Sequence, residues 1–143
     1  MSTKILHAAF VLIISIPISY INFSAYLKGY QPNTVQILFS VAYVFIWGVY
    51  GFLLGRKGLQ FVRFSTYYWG IGTLLLIVSG SFRLLIVAFP LLFILAGPLY
   101  GLRYFFGLPP GVALISINSL IVYAFSILGY WLGKRIRETT KNR

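Results

Sequence analysis

The chain has no cysteine, a single histidine (His7) and a single carboxylate (Glu138), set against twelve lysines and arginines in 143 residues. Each scarcity removes a class of chemistry. Without cysteine there is no disulfide, no thiolate metal site and no thiol nucleophile. One histidine cannot build a His-cluster metal centre. No acid lies within any long apolar run, so a proton relay or cation site built on intramembrane Asp or Glu has no residue to run on. Serines are plentiful, but none has a histidine or lysine in reach to activate it, and no glycine loop of the phosphate-cradling kind is present. The expectation is therefore a non-enzymatic protein without metal or cofactor, an intramembrane transferase being the one exception left open.

What the chain has instead is apolar length. It is 59% hydrophobic, 19% aromatic and 9% charged, where soluble domains are typically about a quarter charged. Such a composition cannot cover a water-facing surface. A bilayer core about 30 Å thick demands runs of roughly 20 apolar residues, and the chain supplies them. The fold class expected is all-α: a polytopic helical membrane bundle with four full spans plus a re-entrant or short fifth segment. A net charge of +11 is read as cations at span ends meeting anionic headgroups. Nucleic acid is not expected as a partner, since the charges form no continuous patch or motif.

The spans are expected at about 5–27, 35–55, 84–102 and 111–133, forming a transmembrane domain over 1–133, with 134–143 a basic cytoplasmic tail. Lys4 and the apolar run after it have the look of a leader, but the run is too long for one and is expected to remain as the first span. Pro17 lies at mid-depth in it, and Pro90 and Pro98 interrupt the run 84–102. Segment 64–82 is ambiguous. It is apolar but short, opens on Ser65-Thr66-Tyr67-Tyr68-Trp69, and carries Gly70 and Gly72. If it spans, the best split of cations between the two faces is seven against five. If it enters and leaves on one side, Lys4, Arg56, Lys57, Arg63, Arg83 and the five tail cations oppose only Lys28 and Arg103. The ten-to-two split obeys the positive-inside rule, so the four-span topology with both termini cytoplasmic is preferred. Non-helical backbone is then anticipated around Ser65 to Thr73, where protein or a cavity must surround it.

Three GxxxG pairs stand near span ends: Gly51/Gly55, Gly97/Gly101 and Gly129/Gly133. Spacing by four puts both glycines of a pair on one face, where another backbone can approach. Polar residues keep helical period on three spans. The series are Ser15, Ser19, Asn22 and Tyr26 on the first, Gln36, Ser40, Tyr43, Trp47 and Tyr50 on the second, and Ser116, Ser119, Tyr123, Ser126 and Tyr130 on the last, with Asn118 beside them. Polar faces avoid lipid, so the three should turn toward a common interior. The bland outcome is interhelical hydrogen bonding. The functional one is a pocket for a neutral or anionic amphiphile, lined by Ser19, Asn22, Ser116, Asn118, Ser119 and Tyr123. Arg83 is the candidate to hold an anionic headgroup or substrate phosphate. The run 84–102, nearly without polar side chains, is expected to face lipid or a partner helix, and His7 is expected to have no role.

In style the chain resembles small bacterial inner-membrane proteins, a likeness that carries no functional residue. The expectation that follows is a multi-pass protein of the bacterial inner membrane, serving as an accessory or assembly subunit of a larger membrane complex. The alternative is a small oligomeric transporter or lipid-handling protein. Membrane lipids and either a protein partner or further copies of the chain are its expected company.

Overall fold

The computed structural model describes residues 3–141; Asn142 and Arg143 of the basic tail and the side chain of Lys4 lie outside it. All regular structure among the described residues is helical. Helix α1 is Thr3–Lys28 and α2 is Thr34–Lys57. Helix α3, 62–81, joins Val62–Thr66 and Gly72–Ser81 through a π turn at Tyr67–Ile71. Helix α4 is Leu85–Phe106 and α5 is Val112–Lys141. Four of these, α1, α2, α4 and α5, are long and apolar enough to cross a bilayer. The chain is a helical membrane bundle.

The ends of the helices follow from local chemistry. Asn33 caps α2 in a reciprocal box: its side chain accepts from Gln36 N at 2.9 Å, and Gln36 Oε1 accepts from Asn33 N at 3.0 Å. The Gln36 amide also donates to Ile21 O at 3.1 Å, tying α2 to α1. Gly58 ends α2 at φ +72° and Gly107 ends α4 at φ +61°, the left-handed conformation that glycine adopts without steric cost. α3 ends differently. Arg83 takes the same conformation at φ +54°, and a Schellman pair, Arg83 N to Gly80 O and Leu84 N to Ser79 O, closes the helix.

The tightest interface pairs α2 with α5. A Cβ added to Gly51 or Gly55 would overlap Ser126 O or Tyr130 O. One on Gly129 or Gly133 would overlap Gly48 O or Phe52 O. The contact register rises together on both helices, so they run parallel. Their glycine faces are consumed within one chain. α3 runs the other way along α5, with Phe61 stacked on Tyr130, Ser65 Oγ 3.0 Å from Ser126 Oγ, and Thr73 donating to Ser119 at 2.9 Å.

The start of α1 and the last turns of α5 lie at one end of the bundle. His7 Nε2 sits 3.2 Å from Gln60 O, and the Arg137 guanidinium rests against Gly58. At the opposite end Arg103, 9% exposed, reaches the carbonyls of Leu108, Gly29 and Tyr30 and the Tyr100 hydroxyl at 2.7–3.1 Å, locking the α1–α2 and α4–α5 loops together. The path from Phe61 to Arg103 thus runs from one end to the other. It does so as a hairpin, with α3 and the start of α4 packed on each other around Phe82–Leu84. Ala88 is buried between them and Ile86 is 92% exposed.

Three expectations need correction. Segment 64–82 is helical up to Ser81, because a π turn widens the ladder without abandoning it. His7 is no idle interfacial residue. It is buried, stacked on Phe64 at 4.2 Å, and Nδ1 lies 2.7 Å from the Tyr50 hydroxyl. With Nε2–H donating to Gln60 O, the hydroxyl donates to Nδ1, and the ring staples α1 to α2 and the following loop. Third, α4 does not simply face lipid. Its second half, Leu95 to Arg103, is the most continuously buried stretch in the chain.

Candidate functional site

The centre of the bundle is built around a broken helix. α4 changes from α (Leu85–Leu91) to π (Leu92–Ala96) to 3-10 (Gly97–Leu102). Pro98 is the reason. In an α ladder Phe93 O would take the N–H of Gly97, but that N–H bonds to Leu92 O, and Pro98 next in line has no N–H. The orphaned Phe93 O accepts from Ser19 Oγ of α1. Ser40 Oγ of α2 bridges the break, accepting from Gly101 N at 2.9 Å and donating to Pro98 O at 2.7 Å. Asn22 donates to both Ser40 Oγ at 2.9 Å and Pro98 O at 3.2 Å. From α5, Asn118 donates to Leu99 O at 3.1 Å.

The polar faces of α1 and α2, joined by Asn118 of α5, do converge, but on the main chain of α4 rather than on an open channel, whereas the α5 series Ser116, Ser119, Tyr123 and Ser126 turns to α3. Gly97 and Gly101 permit this approach. A Cβ at Gly97 would stand 3.0 Å from Ser19 Oγ, and one at Gly101 would overlap Gln36 O. The amide oxygens of Asn22 and Asn118 keep no protein partner.

Beside this joint lies an aromatic cluster: Tyr43, Trp47, Tyr68 and Trp69, with Ser15 Oγ 2.8 Å from the Tyr43 hydroxyl. Trp47 Nε1, Tyr68 Oη and Trp69 Nε1 are buried without a protein partner. Trp69 also lines a second feature, a lateral groove of about 390 Å³ between α3 and α5. Its walls are Thr66, Gly70 and Thr73 on α3, and Ser116, Ser119 and Tyr123 on α5. Thr66 reaches the Tyr123 hydroxyl at 3.1 Å, and Thr73 donates to Ser119. Chemically the groove offers hydroxyls, one small residue and an aromatic floor, with no charge.

Compared with known proteins, the chain matches no family model, no curated protein and no solved structure.

The residues singled out from sequence therefore fall in three places. Ser116, Ser119 and Tyr123 line the groove. Ser19, Asn22 and Asn118 hold the α4 break. Arg83 is apart from both, exposed at the tip of the α3–α4 turn. Reading the sequence missed Thr66, Trp69, Gly70 and Thr73 as groove residues, although the steps of four and three from Thr66 to Gly70 to Thr73, with Trp69 three after Thr66, were there to read. It also missed Arg103, treated only as a loop cation. No pattern of side chains announces an arginine whose partners are backbone carbonyls.

Proposed function

We propose that this protein is a non-enzymatic accessory or assembly subunit of the bacterial inner membrane, its termini cytoplasmic, and that a partner's transmembrane helix docks in the α3–α5 groove. The carrying observation is the groove's small-residue seam. Thr66, Gly70 and Thr73 on one wall and Ser116 and Ser119 on the other are the residue types that let membrane helices approach. The three GxxxG pairs cannot serve this purpose, since each packs against backbone or a core side chain of its own chain. The groove is a small-residue surface left open between two long helices. The interior, filled by the α4 break, argues against a transport pathway through the bundle.

A second reading keeps the groove but changes its occupant to an amphiphile. It is favoured by the uncharged lining of the groove, in which the hydroxyl-bearing Thr66, Thr73, Ser116, Ser119 and Tyr123 stand beside the apolar Leu120 and Trp69, a mix suited to a neutral amphiphile.

The absence of native cysteine makes the test direct. Single cysteines at Ser116 in the groove and at Leu132 on the lipid-exposed face of the same helix would each carry a photoreactive label in native membranes. The subunit reading expects an adduct of one defined size with another membrane polypeptide from Ser116, none from Leu132, and its loss with Gly70→Leu. An adduct with lipid at Ser116 alone supports the amphiphile reading, and equal yields at both positions would sink the groove as a site.

A further inference from the structure

A second cavity, about 640 Å³, opens at the end of the bundle where α1 starts. It is larger than the lateral groove and different in character. Thr3 and His7 of α1 line it, with Gly58 and Gln60 of the α2–α3 loop and Arg63 and Tyr67 of α3. Its wall is aromatic: His7 lies flat on Phe64 with the rings 6° from parallel. Both nitrogens of His7 are engaged, so the ring serves as surface rather than as donor.

Charge at this end is one-sided. Arg63 stands in the cavity wall. The Arg137 guanidinium, from α5, lies so close over Gly58 that any side chain there would overlap it. Arg56 and Lys57 precede Gly58 in sequence. The only carboxylate side chain in the protein, Glu138, is 3.8 Å from Lys134, one turn along its own helix. Neither Arg63 nor Arg137 has a carboxylate partner among the described residues.

Arg63 in the wall, and Arg137 lying over the wall residue Gly58, bring two guanidiniums from different helices to this end of the cavity, with hydroxyl and amide donors of Thr3, Gln60 and Tyr67 around it, a donor set suited to phosphate. Arginine's planar fork pairs with phosphate oxygens through two parallel bonds. The volume falls within the roughly 300–1,000 Å³ of small-ligand sites. The cavity adjoins the start of a membrane-spanning helix, and Tyr67 is exposed at its lip, as interfacial aromatics are.

We propose that this cavity binds a phosphate ester of net negative charge, held by Arg63 in its wall and by Arg137 beside Gly58. The chemistry is shared by an anionic lipid headgroup and by a small soluble phosphate; the interfacial position favours the lipid. The site does not depend on what occupies the lateral groove.

The test uses the full chain in detergent, stripped of lipid, with binding read by native mass spectrometry and by shift of the thermal unfolding midpoint. The probes are phosphatidylglycerol, phosphatidylcholine and glycerol 1-phosphate. One phosphatidylglycerol per chain should be retained in preference to phosphatidylcholine. Arg63→Gln with Arg137→Gln should weaken it by roughly tenfold or more, as expected for loss of charge-assisted bonds. Arg135→Gln with Lys141→Gln removes the same charge from positions that neither line the cavity nor touch Gly58 and should leave it within about twofold. Saturation by glycerol 1-phosphate at concentrations comparable to the lipid would place the ligand in solution and keep the site. Equal losses in the two double variants, or no preference for either anionic probe over zwitterionic phosphatidylcholine, would overturn the proposal.

Discussion

Ser40→Ala is the sharpest perturbation of this fold, because one hydroxyl makes three contacts at the break in α4. It accepts from Gly101 N and from the Asn22 amide, and donates to Pro98 O. Polar contacts between membrane helices average about 0.6 kcal/mol, so losing three costs about 2 kcal/mol. Removing the oxygen leaves almost no cavity, which keeps packing out of the result. The measurement is reversible unfolding in mixed micelles, followed by circular dichroism, with Ser116→Ala as the reference. Ser116 lies half-buried in the groove wall, and its replacement is expected to change stability by less than about 0.5 kcal/mol, as surface changes usually do. A loss below that same level for Ser40→Ala would refute the reasoning, since the break would then hold itself together without α2.

The seam between α2 and α5 gives a second expectation. Gly129→Ala places a methyl into the backbone of Gly48, which cannot yield as a flexible side chain would, so stability should fall by about 1–3 kcal/mol. Gly80→Ala meets open space in a helix and should be neutral or stabilising by up to about 1 kcal/mol; the same micelle unfolding assay distinguishes the two signs. Arg83→Gly should stabilise the α3 cap by roughly 1 kcal/mol, because it removes a side chain from a left-handed residue. Measured destabilisation would instead show that the exposed guanidinium is held by something that lowers the free energy of the folded state.

How legible the candidate site was depends on whether side chains or backbone supplied its chemistry. The groove's α5 wall was readable, since Ser116, Ser119 and Tyr123 repeat at helical spacing. Its α3 wall was obscured by the glycines and hydroxyls that argued for irregular backbone, and the π turn reconciles those residues with a helix. The α4 run misled for a physical reason. It has few polar side chains, but Pro98 turns its main chain polar by denying Phe93 O a donor. The hydroxyls and amides of three neighbours then gather around an element that hydropathy marks as lipid-facing.

By itself the sequence determined the class of molecule. In lipid only helices and closed barrels satisfy every backbone group, and continuous apolar runs of about 20 residues with little charge select helices. It also determined which helices carry polar faces, because period is local. Only the tertiary structure decided what those faces meet, which glycines pack on which carbonyls, and that the glycine pairs close the chain on itself. Those outcomes depend on contacts between residues far apart in the chain. Arg103 and Gly29, or Asn22 and Pro98, share no local pattern, and backbone acceptors freed by a proline are invisible until the helices around them are in place.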